Sequence, residues 1–125
     1  TGRNNQTAEF LKRIITNKKI TMGNLGEPFI PIHPGEIIKE ELEFRKISQK
    51  QFAQIVDFSY TMLNDILNGK RPVSTDFALL IEVSLGINAE MLVNMQTRYN
   101  LQLARQNKKN IDKFEKLRNI CASLL

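Results

Sequence analysis

The chain has 125 residues, 42% hydrophobic and 25% charged, which fits one globular domain with extensions and leaves two full domains cramped. Its 18 Lys and Arg against 13 Asp and Glu give a net charge of +5, which favours an anionic partner. A single His and a single Cys exclude a disulfide framework, a zinc finger and most metal or nucleophile–base sites.

The first residues, Thr-Gly-Arg-Asn-Asn, carry no apolar signal region, and Thr1 in place of Met suggests a trimmed start. No apolar run approaches the roughly 20 residues of a membrane span, so a cytoplasmic binding protein with no membrane partner is expected. Residues 7–20 place Ala8, Leu11, Ile14 and Ile15 on one helical face beside Phe10, which makes residues 1–22 an amphipathic arm. Gly23, Gly26 and Pro28 mark residues 23–33 as a linker. At His33-Pro34-Gly35-Glu36 a helix begins, because proline suits the first helical position and Glu36 faces the positive helix end. Ile38 and Leu42 form its apolar pair.

Ser48-Gln49-Lys50-Gln51 has the form of a capping box and opens a second helix that buries Phe52, Ala53 and Val56. Asp57-Phe58-Ser59 reads as a turn, with Asp57 suited to a left-handed conformation and Ser59 to capping the next helix. That third helix buries Leu63, Ile66 and Leu67 and stops at Asn68-Gly69. A fourth runs from Thr75 to Leu85 and ends at Gly86. Asn88 caps a fifth, from Ala89 to about Arg105. Residues 106–125 hold a last amphipathic helix, which the spacing of Ile111, Phe114, Leu117, Cys121 and Leu124 predicts from Ile111 onward. The expected fold is all-α: a five-helix domain over residues 34–105 with a helical arm at each end.

Two short helices joined by a three-residue turn form a helix-turn-helix. Phe52, Val56, Phe58, Leu63 and Ile66 lie where the two helices and their support must meet, and Ala53 where the helices cross closely. Ile32-His33-Pro34-Gly35-Glu36-Ile37, Ser48-Gln49, Ile66-Leu67-Asn68-Gly69-Lys70-Arg71, Thr75-Asp76-Phe77-Ala78-Leu79, Asn94-Met95-Gln96, Tyr99 and Leu101-Gln102-Leu103-Ala104-Arg105 carry a family resemblance. On these residues, 34–105 resemble the HigA-type antitoxins, a branch of the phage-repressor (XRE) helix-turn-helix family. The resemblance implies an antitoxin that neutralises a RelE-like toxin of the HigB kind, an mRNA endonuclease, and represses its own operon as a homodimer on operator DNA. Two departures stand out. Thr61 and Met62 occupy positions where many relatives carry arginine, and Leu92 replaces a common tryptophan, a core exchange.

The expected base-reading residues are Tyr60, Thr61, Met62, Asn64 and Asp65, on the outer turns of the third helix. Asn64 suits adenine, Thr61 or Met62 a thymine methyl, and Asp65 only a cytosine amino group. Gln49, Lys50, Asn68, Lys70 and Arg71 are the phosphate candidates. Met91, Leu92, Met95 and Tyr99 of the fifth helix are the candidate dimer interface, with a purely intramolecular core as the alternative. For the toxin, two surfaces compete: the apolar residues Phe10, Leu11, Ile14 and Ile15 of the arm, and the acidic first helix with Glu40 and Glu41. The basic charge is uneven, because residues 34–97 are net −3 whereas the flanking segments are net +3 and +5. Within the acidic domain, Arg45 to Arg71 is locally net +3. No zinc-protease, phosphate-loop or serine-hydrolase motif occurs, so no enzyme, cofactor, metal or small-molecule substrate is expected. His33 reads as a helix-entry residue and Cys121 as a small packer. Beside the antitoxin reading stand a transcriptional regulator without a toxin, a protein-interaction module and an RNA-binding protein.

Overall fold

The computed structural model describes residues 31–124. Six helices make up this part, and no strand occurs among the described residues: α1 (Pro34–Phe44), α2 (Gln49–Ile55), α3 (Tyr60–Leu67), α4 (Thr75–Leu85), α5 (Ala89–Gln106) and α6 (Lys108–Leu124). The proposed arm at 1–22, with Phe10, Leu11, Ile14 and Ile15, lies outside the described residues, as does most of the 23–33 linker.

Each helix start is chemically specified. His33 Nδ1 accepts the Gly35 N–H at 2.9 Å and caps α1. Ser48 and Gln51 form both halves of the capping box on α2, with the Gln51 N–H on Ser48 Oγ at 3.0 Å. Ser59, Ser74 and Asn88 cap α3, α4 and α5 by accepting the N–H groups of Met62, Phe77 and Met91. The turn between α2 and α3 holds Asp57 at φ 53°, where a short polar side chain is tolerated. Lys46 adopts φ 59° after α1, a left-handed cap with no sequence signature.

Ile37, Ile38 and Leu42 from α1 meet Phe52 and Ala53 from α2, Leu63, Ile66 and Leu67 from α3, and Phe77, Ala78, Ile81 and Leu85 from α4 in one core. Leu92 closes that core from α5. The Phe58 and Phe77 rings lie 5.1 Å apart and join the turn to α4. Buried backbone groups find side-chain partners: the Val73 N–H donates to Gln96 Oε1 at 2.8 Å, and Arg45 donates to the Leu85 carbonyl at 2.8 Å. The last helix begins earlier than its apolar spacing predicts, at Lys108. Asn107 alone interrupts α5 and α6, because its Oδ1 accepts the Asn110 N–H at 3.3 Å and starts a new helix at once.

Gly35 is the tightest of the described glycines, since a Cβ there would collide with the Ile66 carbonyl oxygen at the end of α3. Gly35→Ala is expected to destabilise the domain by about 2 kcal/mol or more, through displacement of α1 from α3. Urea unfolding of the variant measures it, and an unchanged midpoint would contradict this packing.

Candidate nucleic-acid interface

The recognition helix α3 turns Leu63, Ile66 and Leu67 inward, and this orients every other position. Tyr60, Thr61 and Met62 are exposed on its first turn. Met62 also borders a cleft of about 290 Å³ lined by Phe58, Ile66, Phe77 and Leu80. Asn64 and Asp65 are half-buried and engaged.

Asn64 Nδ2 donates to Gln49 Oε1 at 2.9 Å, and its Oδ1 accepts from Asn68 Nδ2 at 3.2 Å. Asn68 Oδ1 in turn accepts from Lys39 Nζ at 3.2 Å. A chain of polar side chains therefore runs Lys39–Asn68–Asn64–Gln49 across α1, α3 and α2. It joins one base-reading candidate to two phosphate candidates. Lys39 is not among the candidates that the sequence marks; its partner lies 29 positions away, so no local pattern points to it.

Asp65 does not stand ready for a cytosine. Its carboxylate holds Arg71 Nε at 3.1 Å, and its backbone carbonyl accepts from the Lys70 and Arg71 N–H groups at 2.8 and 3.3 Å. Asp65 thus fixes the loop that carries both cations and offsets its own charge beside an anionic partner. Lys70 and Arg71 are exposed, and Lys50 is exposed beside the capped start of α2.

Two further candidates change role. Leu92 is fully buried inside its own chain, so it has no surface to offer a dimer. Glu41 is only 3% exposed and pairs with Arg45 at 3.2 Å, which removes it from the acidic face offered to a toxin. Its place on the inward stripe, three positions after Ile38, is the reason. Tyr99 is half-buried and packs its ring edge-on against His33 at 4.9 Å, while Met91 and Met95 are half-buried against the core.

The helix-turn-helix family model matches residues 38–92, which contain α2, α3 and all ten DNA-contact candidates. Virulence-associated protein I of Dichelobacter nodosus is 37% identical over 82 residues, 65% of this chain and 76% of that protein. An addiction-module antidote protein of the HigA family from Coxiella burnetii is 39% identical, with a TM-score of 0.61 over 69% of this chain and 92% of the other. This chain belongs to the HigA-type antitoxins of the XRE helix-turn-helix family. The antitoxin HigA of Pseudomonas aeruginosa, solved with the higBA promoter, is 32% identical with a TM-score of 0.62 over 70% of this chain and 94% of the other. This family consists of DNA-binding regulators rather than enzymes. No described helix of the HigA-type chain is long and apolar enough to cross a membrane.

His33 links this interface to the rest of the domain. It caps α1, touches Tyr99 on α5 and makes a backbone hydrogen bond with Arg71. Burial lowers its pKa below the ordinary 6.5, against the opposing pull of the Arg71 backbone and of Glu36. A proton on Nδ1 would also abolish the bond from Gly35. The unfolded chain therefore binds the proton first, and the stability from neutral His33 is present above pH 6.5 and lost as pH falls through the lowered folded value. Thermal unfolding between about pH 7 and 5 should show a falling midpoint. His33→Asn, which keeps a capping side chain without a titrating ring, should flatten the profile over that window.

Proposed function

We propose that this protein is the antitoxin of a type II toxin–antitoxin pair, which binds operator DNA as a homodimer, represses its own operon and neutralises a RelE/HigB-like mRNA endonuclease by direct binding. The observation that carries the DNA half is the arrangement around α3. Tyr60, Thr61 and Met62 are exposed on its first turn, with Gln49 and Lys50 on one flank and Lys70 and Arg71 on the other. Base readers between two sets of phosphate clamps are what sequence-specific binding requires. The promoter-bound Pseudomonas relative, with the same fold, supports the same use of this face.

In this reading Lys50, Lys70 and Arg71 hold phosphates, while Tyr60, Thr61 and Met62 meet base edges or thymine methyls. Asn64 reads a base through the amide chain that Gln49 and Asn68 hold in place. Asp65 positions Arg71. One domain reads a few base pairs, so two copies address half-sites about 34 Å apart, one turn of DNA. Toxin contact falls to Phe10, Leu11, Ile14 and Ile15 or to the acidic α1 surface around Glu40. The second of these suits a basic toxin.

Gel shifts on the operon's own promoter test the DNA half. Lys70→Ala and Arg71→Ala should each weaken binding to every sequence and lower the salt slope by about 1. Asn64→Ala should instead change preference at one base pair, by about 1–3 kcal/mol. Operator binding unaffected by all three would refute the assignment of α3.

Co-expression with the product of the neighbouring small gene tests the antitoxin half. Rescue of growth and co-purification are expected, and failure of both would leave a regulator without a toxin.

A further inference from the structure

The polar chain across α1, α3 and α2 is hydrogen-bonded in a single direction. Lys39 Nζ donates to Asn68 Oδ1, Asn68 Nδ2 to Asn64 Oδ1, and Asn64 Nδ2 to Gln49 Oε1. A side-chain amide can donate or accept, so the amide–amide bonds would form equally well with every amide turned over. The ammonium of Lys39 has no second option, because it only donates. It requires Oδ1 of Asn68 to face α1, and each later amide takes the one orientation compatible with that. Lys39 is half-buried, and Glu36 and Glu43 stand three positions before and four after it on α1, the spacing of helical ion pairs. Its ammonium nevertheless reaches across to Asn68, at 3.2 Å.

Given operator binding through α3, on which this role rests, we infer that Lys39 is a specificity-determining residue, acting through Asn68 to set which way the Asn64 amide faces a base. The bonds to Asn68 and Gln49 leave Asn64 one N–H and one lone pair for a ligand. They stand in a fixed order, with the acceptor on the Asn68 side and the donor on the Gln49 side. Adenine offers its N6–H and N7 side by side, so only one order matches it in a given register. The reverse order sets N–H against N–H and lone pair against lone pair. A base pair that presents the reverse order is met only if the whole chain turns over and the Lys39 bond is lost. Lys39 makes that turnover costly without touching a base, which makes it a positioning residue. Its role differs from that of Lys50, Lys70 and Arg71, whose charge acts on phosphates whatever the sequence.

Gel shifts at one salt concentration, on the operon's own promoter and on its single-base-pair variants, provide the test. Lys39→Gln keeps a polar side chain that can bond Asn68 in either direction, whereas Lys39→Arg keeps a cation that only donates. Both should melt like the wild type, since no core side chain changes. Lys39→Gln should lower the preference at the base pair that Asn64→Ala identifies by about threefold to tenfold, the share of one partly exposed charged hydrogen bond. Lys39→Arg should retain that preference. A lysine that only attracts phosphate would behave otherwise: Lys39→Gln would weaken every sequence alike, lower the salt slope by about 1 and leave the preference intact. That result, or equal relaxation in Lys39→Arg and Lys39→Gln, would overturn the positioning role and leave the DNA reading standing. A preference unaltered by Asn64→Ala would instead remove the base contact on which both depend.

Discussion

The first turn of α1 rests on the last turn of α3, backbone against backbone, and the placement of the recognition helix depends on that contact. Gly35 permits it because any side chain there would strike the Ile66 carbonyl. Asn68 caps α3, and Gly69 turns the chain at φ 76° beside the His33 ring. The chain then returns along α3, where Asp65 takes the Lys70 and Arg71 amides and the Arg71 side chain. His33 completes the junction by reaching Gly35, Arg71 and Tyr99 at once. The loop that carries the cations is therefore held by hydrogen bonds to Asp65 and His33. The backbone of that loop has little left to order when an anion arrives.

Net charge misleads about such a surface. The domain over residues 34–97 is net −3, and a partner sensing only total charge would find it unattractive. What matters is where the acids are directed. Glu41 turns inward onto Arg45, and Asp65 is paired with Arg71. Along the proposed DNA face, the neutral amides of Gln49, Asn64 and Asn68 hydrogen-bond one another, with Lys39 at one end. Amides add directional donors and acceptors without the desolvation cost of buried charge, which suits discrimination between base pairs better than general adhesion.

The fold was legible in the sequence wherever a local rule acts. Caps at Ser48, Ser59 and Asn88, the left-handed Asp57 and the stops at Gly69 and Gly86 all depend on neighbours within a few positions, and they set the helix bounds. Lys46 was not legible, because a left-handed lysine has no compositional mark. The interface was legible as an address but not as a network: periodicity marks Asn64 and Asp65 as outward and cannot say that both are already occupied. Glu41 and Leu92 illustrate the opposite failure. A run of glutamates looks like one solvated face, although the helical period turns one member inward. A long α5 likewise looks like a free apolar face, although its first half closes the core.

Burial along α5 is confined to Ala89, Leu92 and Gln96, and beyond Tyr99 the helix leaves the domain. The C-terminal helix is held in direction even though it is not covered. Asn110 Nδ2 donates to the Ala104 carbonyl at 3.0 Å, across the break at Asn107, and ties the start of α6 to the last turn of α5. A linker of glycine and serine would have left α6 free to sweep a wide volume. The asparagine junction instead ties the first turn of α6 to the last turn of α5. Two recognition helices can address half-sites at one spacing only if their connection transmits orientation. A short hydrogen-bonded junction passes on more orientation than a glycine-serine tail with the same five apolar side chains would.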